Sequence, residues 1–157
     1  MAAAGEGVVG FEANGGTFVG PGFSLPALPT RDAILPLLAA LALARREDIA
    51  VAELMRRLPL QHAVADRLQN VPGERSAAFL SKLEADPNFA GALFAPNAIA
   101  DVNAIDGLQF HLASGETVHF RASGNAPELR CYVEAGSEEK AKGLLGWAMG
   151  VLKKAVG

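Results

Sequence analysis

Residues 108–135 read LQFHLASGETVHFRASGNAPELRCYVEA. Apolar residues take every second place at Leu108, Phe110 and Leu112, then at Val118 and Phe120, then at Leu129, Cys131 and Val133. A period of two marks strands with one buried face. Ser114-Gly115-Glu116 supplies turn chemistry between the first two runs. A three-residue loop there pairs Leu112 with Val118, Phe110 with Phe120 and Leu108 with Ala122, which puts every apolar group on one face. The other face then sets His111 against His119 and Gln109 against Arg121. In the third run Arg130, Tyr132 and Glu134 take the polar side.

Working outward, Ser137 is placed to cap a final helix. Glu138 and Glu139 suit its first turn and Lys153 and Lys154 its last. Ala141, Leu144, Leu145, Ala148, Val151 and Leu152 make its apolar stripe. Upstream, Asp106-Gly107 is a turn, and Ile99–Ile105 alternates as a strand. The stretch before it through Pro96 has no clear period. Glu74–Ala85 reads as a helix carrying Phe79, Leu80 and Leu83, and Ala63–Gln69 as a strand. Strands in series, with helices before and after, predict an α+β fold: an antiparallel sheet covered on one face by helices.

The first third differs. Gly7–Phe11 and Thr17–Val19 flank Ala13-Asn14-Gly15-Gly16, which reads as strand, tight turn, strand. Pro21-Gly22 and Pro26 to Pro29 form an irregular connector. Thr30 is the expected helix cap. Ile34, Leu35, Leu37, Leu38, Leu41 and Leu43 then cover most of a helix that wants burial on more than one side, and Pro36 should bend or delay its first turns. A short helix spans about Ala50 to Leu58. The expected units are residues 1–58 and 59–157.

Composition excludes several classes. The 157 residues carry a net charge of −3 and are 50% apolar. That is too apolar for a disordered chain, and the sign argues against a nucleic-acid or anionic-membrane binder. No apolar run approaches the ~20 residues of a membrane span, and the N-terminus lacks the basic-then-apolar pattern of a secretory signal. The lone cysteine, Cys131, cannot form an internal disulfide, and a reducing cytoplasm fits. On the apolar face of its strand it reads as a core residue, not a nucleophile.

Three motifs bear on chemistry. Gly5-Glu6-Gly7-Val8-Val9-Gly10 spells a dinucleotide fingerprint, but no strand precedes it and no helix comes after it, so the nucleotide reading fails. His111 and His119 lack the further ligands that a metal site needs. Arg121-Ala122-Ser123-Gly124-Asn125-Ala126-Pro127-Glu128-Leu129-Arg130 is stronger. Two arginines on adjacent strands flank a hydroxyl, a small-residue backbone and an amide. Such a set suits a phosphate dianion, through guanidinium forks and an anion nest of backbone N–H groups. It equally suits an ordinary hairpin loop with surface arginines. Glu12 and Asn14 have the hydrogen-bonding groups to read sugar hydroxyls, and equally the character of a hairpin tip.

Arg121-Ala-Ser-Gly-Asn-Ala-Pro-Glu-Leu-Arg-Cys-Tyr-Val-Glu134 resembles the C-terminal phosphate loop of the α-D-phosphohexomutases, whose pattern is R-P-S-G-[TN]-x-P-x-[LI]-R-x-Y-x-E. Gly10-Phe-Glu-Ala-Asn-Gly-Gly16 looks like the sugar loop of the third domain in the phosphomannomutase branch. Leu28-Pro-Thr-Arg-Asp-Ala-Ile-Leu-Pro36 looks like the segment after that loop. The resemblance implies a remnant of an α/β domain followed by a four-stranded, TATA-binding-protein-like domain. It implies that Arg121, Ser123, Gly124, Asn125 and Arg130 hold a substrate phosphate, and that Glu12 and Asn14 contact the sugar. The implied activity interconverts hexose 6-phosphate and hexose 1-phosphate through a phosphoserine. Mg2+ and a hexose 1,6-bisphosphate are implied for the intact enzyme and no cofactor for this chain. Its serine and D-G-D-x-D-R metal loop do not occur here. The expectation is therefore a portion that binds a hexose phosphate, is inactive alone, and partners with missing N-terminal domains of the same enzyme. The alternatives are a stand-alone phospho-ligand module, a subunit of a split enzyme, or a remnant prone to aggregation. Ala122 and Ala126 depart from the pattern where proline and glutamate are frequent.

Overall fold

The structure is a computed structural model, and it describes residues 7–11, 15–24 and 26–156. The chain divides into two compact units, residues 1–60 and 61–157.

In the first unit, strands β1 (Val9–Phe11), β2 (Thr17–Val19) and β3 (Leu28–Asp32) form an antiparallel sheet in that order. The predicted hairpin is present, with Val9 opposite Val19 and Phe11 opposite Thr17. β3 replaces the expected connector. Its Pro29 has no N–H to give, which an edge strand tolerates. Thr30 lies in β3 and does not cap the following helix, α1 (Leu35–Arg46). The cap is Asp32, whose Oδ1 accepts from the N–H of Ile34 at 2.8 Å and of Leu35 at 2.7 Å. Pro36 falls within the first two helical positions, where its missing N–H costs nothing. On α1 only Ala44 is buried; Ile34, Leu37, Leu38 and Leu41 are each more than half exposed. Helix α2 (Val51–Arg57) ends the unit.

The second unit is built on five strands: β4 (His62–Gln69), β5 (Ile99–Asn103), β6 (Leu108–Leu112), β7 (Thr117–Ala122) and β8 (Glu128–Ala135). Their order is β4-β8-β7-β6-β5, antiparallel throughout. The expected sheet had four strands; the fifth arises because Ile99–Asn103 pairs along β6. Helices α3 (Gly73–Ala85), α4 (Pro87–Phe94) and α5 (Glu138–Val156) enclose the apolar side. α4 occupies the stretch that had no clear period. Its start is chemically plain: Asp86 accepts from the N–H of Phe89 at 2.9 Å, and Pro87 follows the cap. Ser137 caps α5 as expected, accepting from the N–H of Lys140 at 3.2 Å.

Phe94, Phe110, Phe120, Leu129, Cys131 and Leu152 are fully buried together. The rings of Phe94 and Phe110 lie 4.5 Å apart, and Trp147 meets Phe94 edge-on at 5.2 Å. Each such side chain contributes roughly 1.5–3 kcal/mol of transfer free energy. Cys131 is a core residue, its thiol pushed up to about 12 by burial and then by the Asp66 charge.

The β6–β7 register differs from expectation by two residues. Phe110 faces Val118 and Leu108 faces Phe120, with Gln109 opposite His119 and His111 opposite Thr117. The N–H of Leu112 donates to the carbonyl of Glu116 at 2.8 Å, so the turn is Ala113-Ser114-Gly115. A shift of two preserves both faces, which is why the buried set is unaffected. The price is a buried Glu116, only 5% exposed. It accepts from Ser114 and pairs with Lys140 of α5. These two hydrogen bonds, Lys140 foremost, hold its carboxyl below the usual carboxylate range.

Candidate functional site

The uncovered face of the second sheet carries the site. Apolar alternation sends Leu129, Cys131 and Val133 toward the helices, so Glu128, Arg130 and Tyr132 must point the other way. Register then places Arg121 directly opposite Arg130, and Arg130 directly opposite Arg67. Three guanidinium groups therefore line one row across β7, β8 and β4. Like charges directly opposite each other on neighbouring strands destabilise a sheet. Two carboxylates offset that repulsion. Asp106 Oδ1 accepts from Arg121 Nε at 2.9 Å. Glu128, whose side chain is only 12% exposed, reaches Arg67 at 3.4 Å and Arg130 at 3.4 Å.

Residues 123–127 connect β7 to β8 at the end of that row. The N–H of Ser123 donates to the Glu128 carbonyl at 2.9 Å, closing the loop. Ser123 Oγ accepts from the N–H of Asn125 and from the Arg130 guanidinium, both at 3.4 Å. Ser123 and Arg130 thus meet, with Arg121 opposite Arg130 in register, while Gly124 and Asn125 stand exposed at the rim. No residue of the loop has positive φ, so the expected anion nest is not of the kind that pairs right- and left-handed residues. The loop offers separate donors instead. Among the described residues, the N–H groups of Gly124 and Ala126 meet no acceptor.

Two neighbours tune the arginines. A hydrogen bond with the Tyr132 phenol, and then the Glu128 carboxylate, raise Arg130 above the ordinary guanidinium value. The Asp106-Gly107 turn is pressed onto β7. Gly107 has φ of 79°, and a Cβ there would lie 2.4 Å from the Phe120 carbonyl oxygen. The Asp106 carbonyl is also 2.6 Å from His119 Nε2. This close seating is what brings Asp106 to Arg121.

Glu12 and Asn14, the expected sugar contacts, lie outside the described residues. Sequence reasoning missed Arg67, Asp106 and Glu128. The signal for Arg67 was its parity within Ala63–Gln69, but only the pairing of β4 with β8 places it beside Arg130. Among the described residues, no three His, Cys, Asp or Glu side chains gather as a metal-ligand set, and His111 and His119 are not cross-strand partners. No described helix is long and apolar enough to cross a membrane.

Residues 60–145 match the phosphoglucomutase/phosphomannomutase C-terminal domain. A phosphomannomutase of Sinorhizobium fredii (strain NBRC 101917 / NGR234) is 41% identical over 157 residues, covering 95% of this chain and 33% of that protein. A phosphomannomutase of Salmonella muenchen is 34% identical, covering 96% of this chain and 32% of that protein. The crystal structure of a phosphoglucomutase/phosphomannomutase family protein from Burkholderia thailandensis superposes with a TM-score of 0.64 at 20% identity, over 94% of this chain and 28% of that one. That likeness concerns the fold. The chain spans about a third of the length of the curated relatives it matches. With a match over more than half of its residues, on the unit that carries the arginine row, the chain belongs to the phosphoglucomutase/phosphomannomutase family through that family's C-terminal domain.

Proposed function

We propose that this chain is the phosphosugar-binding C-terminal portion of an enzyme that interconverts hexose 6-phosphate and hexose 1-phosphate through a phosphoserine. The observation that carries the reading is the contact of Arg130 with Ser123 at the β7–β8 loop, with Arg121 directly opposite Arg130 in register. Guanidinium forks match the oxygens of a phosphate dianion, and the exposed N–H groups of Gly124 and Ala126 add uncharged donors. Asn125 at the rim supplies an amide. In this reading the group holds the phosphate that is not being transferred.

Phosphoryl transfer needs a positioned nucleophile, a metal and charge-neutralising cations. In this reading the described residues supply cations, and the Mg2+ and hexose 1,6-bisphosphate of the complete reaction belong to the intact enzyme, with its N-terminal domains. Glu12 and Asn14 enter this proposal as sugar contacts on the strength of sequence. A cytoplasmic setting goes with it, in keeping with the single thiol of Cys131.

Titration of the purified chain with mannose 1-phosphate, read at the amide resonances of Ser123, Gly124 and Asn125, tests the site. Saturable shifts are expected, and Arg121→Ala should abolish them. Turnover of the isolated chain in a mutase-coupled assay would contradict the partition of roles.

A further inference from the structure

Arg67 sits on β4, far in sequence from the loop, yet it belongs to the same row of charge. It faces Arg130 in register, as Arg121 does from the other side. Strands lie 4.7–4.9 Å apart, so the outer two arginines are separated by roughly 10 Å with Arg130 between them. Arg67, Arg130 and Tyr132 also line one shallow cleft, together with Ala65 and Asp66. Glu128 is shared by Arg67 and Arg130 at equal distances of 3.4 Å. One carboxylate between two guanidiniums leaves the row with surplus positive charge. A carboxylate is also a fair imitation of two phosphate oxygens, because both present paired acceptors to an arginine fork.

We propose that Arg67 is a third guanidinium of the phosphate site, and that Glu128 is an internal counter-ion which the incoming phosphate displaces. The inference rests on the reading of the β7–β8 loop as a phosphate site. Between the two guanidiniums Glu128 screens Arg67 from Arg130 and prevents the row from repelling itself. When a phosphate dianion seats beside Ser123, both arginines turn from Glu128 to the ligand. Glu128 then opposes binding by its own charge while keeping the arginines poised.

The test uses the whole chain, with inorganic phosphate and separately mannose 1-phosphate as probes, followed at the Ser123–Asn125 amides. Arg67→Gln should weaken binding about tenfold, the scale of one charge-assisted hydrogen bond. Arg67→Lys should recover part of that loss, which a purely structural role would not require. Glu128→Gln should tighten binding several-fold, and the gain should shrink as salt screens the charges. Intact Trp147 fluorescence in each variant verifies folding; Arg67→Gln, if it fails this check, is replaced by Arg67→Met, and Glu128→Gln by Glu128→Ala. If wild type binds, Arg121→Ala does not, and neither Arg67→Gln nor Arg67→Met changes affinity, Arg67 is not a ligand and the inference falls while the site reading stands. If Glu128→Gln weakens binding, the counter-ion role is overturned. If wild type itself gives no response, the site reading falls and takes this inference with it.

Discussion

Gly107→Ala separates a conformational cost from a steric one. At φ of 79° the backbone is left-handed, which costs a residue with a side chain about 1–2 kcal/mol. The new Cβ would also lie 2.4 Å from the Phe120 carbonyl oxygen and 3.1 Å from Arg121 Cα. Ordinary contact begins near 3.4 Å, so the turn and β7 must part by roughly an ångström. Phe120 cannot follow freely. Its ring is fully buried and lies about 6 Å from those of Phe79, Phe94 and Phe110. Forced displacement in a packed core costs about 1–3 kcal/mol, which brings the total to roughly 2–5 kcal/mol. Gly115→Ala is the control. Its φ is 95° but nothing lies within 4 Å of the added carbon, so only the conformational cost of about 1–2 kcal/mol applies. Urea denaturation read by Trp147, the sole tryptophan, reports the second unit directly. With a slope of about 1 kcal/mol/M the midpoint should fall by roughly 2–5 M for Gly107→Ala and roughly 1–2 M for Gly115→Ala. Equal losses for the two variants would refute the steric argument.

Four further outcomes are expected. Ser76 Oγ is buried with no hydrogen-bond partner among the described residues, so Ser76→Ala should be neutral or stabilising by up to about 1 kcal/mol in the same assay; a loss of stability would show a hidden partner. The Cys131 thiol, raised from 9.0 to about 12, favours the folded state fully below its unfolded value of 9.0, and that contribution is lost as pH rises through about 12. Iodoacetamide at about pH 8, below the ordinary thiol value, should therefore label Cys131 only as fast as the domain opens, and rapid labelling of the folded chain would contradict this burial. Glu116 is held low by Lys140 and then Ser114, so its contribution is present above the ordinary value of 4.5 and lost as pH falls through the depressed value. Lys140→Met should cost about 1 kcal/mol near neutral pH, discounted for the exposed lysine, and nothing once Glu116 is protonated; a loss that persists in acid would assign the effect to packing. Leu37→Lys with Leu41→Lys should lower self-association in sedimentation velocity, because both residues are more than half exposed on α1; unchanged sedimentation would clear that face of responsibility.

The sequence was most legible where one periodicity ruled. β8 alternates cleanly because one face packs on helices and the other is open, and α5 announces itself through Ser137, the glutamates and the closing lysines. The β6–β7 register was illegible in principle from faces alone, since pairings two residues apart bury the same side chains. In the observed register Glu116 is buried, and the partner that offsets this cost, Lys140, is on another element. β3 was hidden by Pro29 and by Pro26 just before it, which read as a connector until the strand is known to lie at a sheet edge. The β7–β8 loop was visible as a candidate site from its string of residue types. Its supporting carboxylates, Asp106 and Glu128, and the third arginine, Arg67, depend on strand order, which no local pattern encodes.

Strand order has a consequence for synthesis. β4 opens the second unit, yet its pairing partner is β8, about 60–70 residues further along the chain. A nascent chain leaving the ribosome must carry β4 without its neighbour until Ala135 has emerged. Neither the hairpin of β6 and β7 nor α3 can shelter that edge in the interval. The arginine row has the same history, because Arg67 meets Arg130 only when the last strand is laid down. The arginine row is therefore complete only once β8 is in place, and a chain interrupted before β8 would carry Arg67 and Arg121 without the strand that joins them.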